Sequence, residues 1–142
     1  MGKYFKQYQM KHLFVPYEIA ILVKKSGYDE YCLAYYNEIK ELESCGLSEN
    51  RPFNPRAGVK NSTIKKYILN AITAPLYQQV QNWLLKEYSI CVIIQDFQHI
   101  DTVDGFRYSI TQYGFPKIQS NKNFENYYEC WCEAIKESIK LI

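Results

Sequence analysis

Only two histidines, His12 and His99, occur in 142 residues, and neither lies at ligand spacing from a cysteine or from the other. That scarcity removes the commonest general base and the usual zinc-binding histidine pairs. Also missing are the G-x-G-x-x-G dinucleotide loop, the G-K-[ST] phosphate loop and the G-x-S-x-G nucleophile elbow. His99 and Asp101 fall together in an expected turn, where a solvated loop is the ordinary outcome. Glu41 and Glu43 are close carboxylates, but a charged connection solvates such a pair. With neither cofactor motif nor nucleophile–base pair, the chain is expected to be non-enzymatic and to hold neither cofactor nor metal.

No stretch approaches the roughly 18 uninterrupted apolar residues that a membrane helix needs. The opening segment "MGKYFKQYQMKHLFVPYE" carries positive charge but no apolar core, so no secretory signal is expected. Five cysteines form an odd set without framework spacing. These features together point to free thiols in a reducing cytoplasm, that of a bacterial host cell, with no membrane partner.

What the chain has in plenty is tyrosine: 14, against 7 Phe and 2 Trp. Each joins a large apolar ring to a polar tip, and so suits half-buried positions and wet interfaces alike. Hydrophobic residues are 47% and charged residues 23% of the whole, a globular composition. The net charge of +2 is too small for binding to nucleic acid or membrane by bulk electrostatics. It is unevenly placed, however. Residues 29–50 carry six acids against Lys40, whereas residues 51–70 carry Arg51, Arg56, Lys60, Lys65 and Lys66 with no acid.

Periodicity predicts a single small α+β domain spanning residues 1–142. The expected order is helix, strand, long loop, helix, strand, strand, helix, with the helices on one face of a small antiparallel sheet. "VPYEIAILVKK" reads as a helix opened by Pro16 and closed at Gly27, followed by the strand "YCLAYY". A long basic connection occupies residues 40–70, with room for one short strand or helical turn. In "TAPLYQQVQNWLLKEY", Thr73 is placed to cap a helix whose stripe is Leu76, Tyr77, Val80, Trp83, Leu84 and Tyr88. "SICVIIQDF" is a continuous apolar run, hence a buried strand. A turn at Asp104-Gly105 then leads into the alternation Phe106, Tyr108, Ile110. "FPKIQSNKN" reads as the connection to the last helix.

That helix contains the C-x-C of Cys130 and Cys132. Helical residues two apart point about 200° apart, so the two sulfurs diverge and suit neither one zinc nor a disulfide. The apolar face is assigned to Phe124, Tyr128, Trp131, Ile135, Ile139 and Ile142. Cys130 then points away from it, beside Asn126, Glu133 and Glu137.

Binding is the remaining kind of function. "RPFNPRAGVKNSTIKKY" interleaves Arg51, Arg56, Lys60, Lys65 and Lys66 with Phe53 and Tyr67, a composition that meets phosphate or an acidic protein surface. Tyr35, Tyr36 and the Tyr127-Tyr128 pair add rings able to stack on bases or fill a partner's pocket. The binding set is therefore Arg51, Arg56, Lys60, Lys65, Lys66, Tyr67, Tyr35 and Tyr36.

"APLYQQVQNWLLKEYSI", "NYYECWCEAIKESIKLI" and "SGYDEYCLAYYNE" resemble, in the same order, segments of small uncharacterised proteins of gut Bacteroidetes, their phages and prophages. Tyr31 stands where Pro is usual there, and Cys130 where a small Ala is common. The resemblance implies a phage or mobile-element origin and carries over no activity. The expected function is a non-catalytic binding protein, with counter-defence as one role, acting on a host protein or an anionic signalling molecule. The alternative is a nucleic-acid or nucleotide-binding module that uses residues 51–67. A monomer or simple homo-oligomer is expected in either case. Because the cysteines lack framework and ligand spacing, neither EDTA nor reductant should move the melting temperature appreciably. A large fall with either reagent, measured by circular dichroism, would show a metal or disulfide holding the fold.

Overall fold

The computed structural model describes residues 11–44, 58–97 and 105–142. Among the described residues are four α-helices and six strands, the strands forming two antiparallel three-stranded sheets. The class is α+β with helices packed against sheet. Strands expected in one sheet are thus shared between two. The chain divides into two compact units, the first ending at Gln78 and the second covering Gln79–Ile142.

In the first unit α1 (Tyr17–Lys25) follows Pro16, whose fixed φ suits a helix entrance, and buries Ile19, Ala20 and Val23. β1 (Ala34–Tyr36) is the central strand, flanked by β2 (Leu42–Ser44) and β3 (Ile72–Ala74) in the order β2-β1-β3. β1 is paired along both edges, and all three of its residues are buried, so both of its faces are covered as well. Tyr35 packs with Val59, Ile64 and Ala71. Tyr36 meets the edge of Tyr17 and donates its hydroxyl to the Val15 carbonyl at 2.7 Å.

Cys32, just before β1, exchanges two backbone hydrogen bonds with Val59. The chain reaches Val59 through Gly58, at φ +75°, where an added Cβ would stand 2.4 Å from the Cys32 carbonyl oxygen. Only glycine fits there. A short helix, α2 (Asn61–Ile64), follows at once. Its Asn61 amide donates to the Tyr28 carbonyl and accepts from the Thr73 backbone N–H, both at 3.1 Å. Thr73 is therefore a β3 residue and not a helix cap, because the helix starts four residues later, beyond the reach of its side chain.

That helix, α3 (Tyr77–Tyr88), follows its expected stripe, burying Tyr77, Val80, Trp83 and Leu84. In the second unit β4 (Ile90–Phe97), β5 (Gly105–Gln112) and β6 (Phe115–Gln119) pair in sequence order. β5 keeps its alternation, with Tyr108 and Ile110 buried and Arg107 exposed. The expected Asp104 turn and its neighbours His99 and Asp101 lie outside the described residues. β4 is an edge strand, and that corrects its expected full burial: Ile90 and Val92 are buried while Ile93 is 47% exposed.

β6 corrects another expectation, since its segment reads as a connection. Tyr113 (φ 52°) and Gly114 (φ +80°) make a two-residue turn with both central residues left-handed, the geometry that continues the twist of a hairpin. The strand after it is almost wholly exposed and so has no burial alternation to betray it.

The last helix, α4 (Tyr127–Ile139), is capped by Asn126, whose side chain accepts from the N–H groups of Tyr128 and Glu129. Its buried stripe is Cys130, Trp131, Ala134, Ile135 and Ser138. This corrects the outward placement of Cys130. Small side chains face the sheet here, and the bulkier Tyr128 and Ile139 sit half-buried at the margin. Ser138 satisfies its buried hydroxyl on the Ala134 carbonyl at 2.7 Å.

Burial pushes both the Cys32 and Cys130 thiols up to about 11. For Cys32 the Tyr28 and Thr73 hydroxyls pull the other way, since each would donate to a thiolate. With the thiol neutral, the Thr73 hydroxyl has no hydrogen-bond partner among the described residues. Between pH 9 and 11 the unfolded chain releases thiol protons that the folded chain keeps, so stability falls as pH rises through that window. Each thiol contributes on the order of 2 kcal/mol to the fall. Urea unfolding at pH 8.5, 9.5 and 10.5 should show it, and Cys130→Ala should decline less steeply than wild type; parallel profiles would refute the assignment. Trp83→Ala should cost about 3–5 kcal/mol in the same assay, whereas a loss below about 0.5 kcal/mol would place the side chain on the surface.

Candidate functional site

The expected binding residues do not form one surface. Arg51 and Arg56 lie outside the described residues. Tyr35 and Tyr36 are core side chains, exposed by only 1% and 6%, and offer no ring to a partner. The Tyr35 hydroxyl donates to Glu43, which also accepts from Asn37 at 3.2 Å. Glu43 thus anchors the turn after β1 from its place in β2. Lys60 rests its ammonium 4.6 Å from the centroid of the Tyr31 ring, a cation–π contact that holds it against the fold. Lys65, Lys66 and Tyr67, in the turn after α2, are exposed.

These three belong to a surface that periodicity did not reveal. β1 and β3 are antiparallel neighbours with Tyr36 opposite Ile72, so the turn leaving β1 lies beside the turn entering β3. Asn37 builds the first turn, its side-chain oxygen accepting from the N–H groups of Ile39 and Glu41. Asn70, itself left-handed at φ 57°, donates to Glu38 at 3.4 Å and ties the two turns together. Next in sequence to that pair stand Ile39 and Leu69, exposed by 70% and 71%, with Tyr67 at 47%. The tip of this sheet therefore carries Ile39 and Leu69 on two turns tied together, while Lys65, Lys66 and Tyr67 are exposed in the segment that leads into the second turn. Exposed branched aliphatic residues at a sheet tip give no periodic signal, so only the register exposes the pattern.

A second concavity lies wholly in the second unit, where β5, β6 and the segment after β6 face α4. It has a volume of about 340 Å³ and is lined by Tyr108, Ser120, Lys122, Phe124, Glu133 and Glu137, among others. The Phe124 backbone bonds Phe106 in both directions and so fixes its ring in the lining, where it meets Tyr108 at 6.0 Å. Ser120 accepts from the Tyr108 N–H at 3.1 Å. Burial raises the Tyr108 phenol pKa, and the charges of Glu137 and Glu133 raise it further. The i, i+4 spacing of the two glutamates places them on one helix face. Which strand that face meets is a matter of tertiary packing, and the pocket was invisible in the sequence for that reason.

Among the described residues no three His, Cys, Asp or Glu side chains gather closely enough to hold a metal ion, and no helix is long and apolar enough to cross a membrane. No family model, curated protein or solved structure matches this chain.

Proposed function

We propose that the chain is a non-catalytic binding protein of phage or mobile-element origin that docks a host protein in the bacterial cytoplasm through the tip of its first sheet. The observation that supports this reading is the exposure of Ile39 and Leu69 on two turns tied by the Glu38–Asn70 hydrogen bond, with Lys65, Lys66 and Tyr67 exposed in the segment leading into the second turn. Exposed aliphatic side chains gain from being covered, at about 25 cal/mol per Å² of apolar surface. The neighbouring ammonium groups favour a partner whose rim is acidic. Counter-defence is one role that such an interaction serves. Nucleic acid is the less favoured partner, since Ile39 and Leu69 have no phosphate to meet and Glu38, bonded to Asn70, adds a negative charge to the same pair of turns.

Two variants separate these readings in the protein purified from its host and analysed by native mass spectrometry. Ile39→Ser with Leu69→Ser should abolish the complex while leaving stability within about 0.5 kcal/mol of wild type, because both side chains are solvent-exposed. Replacing Arg51, Arg56, Lys60, Lys65 and Lys66 by Ser should weaken the complex only severalfold, with a shallow salt dependence. Retention of the full complex by the Ile39/Leu69 variant would sink the proposal. A steep salt slope that flattens by about 0.7–0.9 for each cation removed would instead assign the segment to phosphate binding.

A further inference from the structure

We propose that the free edge of β4 is a self-association site, where a second copy of this chain adds its own β4 in antiparallel register and joins the two three-stranded sheets into one. This edge lies in the second unit and owes nothing to the sheet tip of the first. β4 runs for eight residues and pairs along one side with β5. Among the described residues no strand pairs with its other side. Ile90, Val92, Ile93 and Ile94 make it rich in β-branched residues, with Asp96 as its single charge. Long apolar edges of this kind take up another strand unless something blocks them.

Backbone groups of alternate residues point to the same side of an antiparallel strand. The Val92 carbonyl accepts from the Gln81 side chain at 2.9 Å and so faces away from β5. The far side of β5 agrees. Tyr108, opposite Ile94, spends its N–H and C=O on Ser120, and Phe106, opposite Asp96, spends both on Phe124. Ile94 and Asp96 therefore direct their own N–H and C=O groups to the free edge. Ile93 is 47% exposed, and Gln95 and Asp96 are exposed too, so this half of the strand is open to water.

A copy of the same strand fits this edge. With the Val92 carbonyl already bonded, the open stretch is 93–97 and its middle is Gln95. A two-fold axis there sets each Ile94 opposite the Asp96 of the other copy, and the two exchange N–H···O bonds on both sides of the axis. Asp96 then meets an isoleucine and not its own like charge. At the axis Gln95 meets itself, and a side-chain amide is both donor and acceptor. Association also stops at two. β4 has no proline, lysine or bulge to oppose pairing, whereas β6, at the opposite side of the sheet, has Pro116 and a register slip. One open edge and one guarded edge give a closed pair and not a fibre.

Sedimentation velocity of the full chain, from about 1 µM to about 300 µM, reads this directly. The expected result is a reversible monomer–dimer equilibrium with no larger species, in which amide exchange at Ile94 and Asp96 slows as the dimer forms. Asp96→Pro removes an outward N–H from an exposed edge position, so it should abolish the dimer and leave the circular dichroism spectrum unchanged. Gln95→Lys sets like charges across the axis and should raise the dissociation constant at least ~10-fold. It leaves the backbone untouched and decides the matter if the proline disturbs the fold. Ile39→Ser with Leu69→Ser, at the sheet tip, should dimerise as wild type does. A wild type that stays monomeric throughout would overturn the proposal, as would species that grow beyond two chains. Wild-type affinity in folded Asp96→Pro or in Gln95→Lys, or loss of the dimer in the sheet-tip variant, would place the contact elsewhere and overturn it equally.

Discussion

One buried side-chain amide organises the first unit. Asn61 is 8% exposed and joins three stretches distant in sequence: its own short helix, the Tyr28 carbonyl beyond α1 and the Thr73 N–H of β3. An unpaired buried amide is costly, so the three must come together or not at all. β1 is then laid between β2 and β3, and the Cys32–Val59 bridge closes beside it over Gly58. The sheet tip with Ile39 and Leu69 is a downstream product of this arrangement, because its two turns leave the strands that Asn61 helps to align.

The second unit is organised differently, around a hydrophobic stripe instead of a polar clasp. α4 turns small residues inward at Ala134 and Ser138, letting Trp131 and Ile135 pack closely over β4 and β5. Close packing has a corollary at the margin. Where the stripe gives way to Glu133 and Glu137, the helix lines a concavity together with Tyr108, Lys122 and Phe124. The boundary between core and surface is thus also where polar chemistry gathers.

Elements with strong amphipathic contrast were legible in the sequence: α1, the α3 stripe around Val80, Trp83 and Leu84, and the alternation of β5. Elements without contrast were not. β6 is exposed on nearly every residue, and β3 spans three residues whose pairing depends on Asn61. The inward face of α4 was misjudged because large residues outweighed small ones in fixing its direction, though contact with a sheet favours the small. Of the expected binding residues, Lys65, Lys66 and Tyr67 do lie on the surface, while Tyr35 and Tyr36 owe their burial to a central strand that no local pattern announces.

The exposed strand β6 has a consequence for how this protein behaves in a crowded solution. A free sheet edge is a template onto which another chain can add a strand. β6 presents Pro116, which has no N–H to offer, and its pairing with β5 slips between Ile110 and Thr111, which bends it away from a regular ladder. Lys117 adds a charge beside the proline. Among the described residues no further strand pairs with β6, and the proline, the register slip and the lysine each oppose the addition of one.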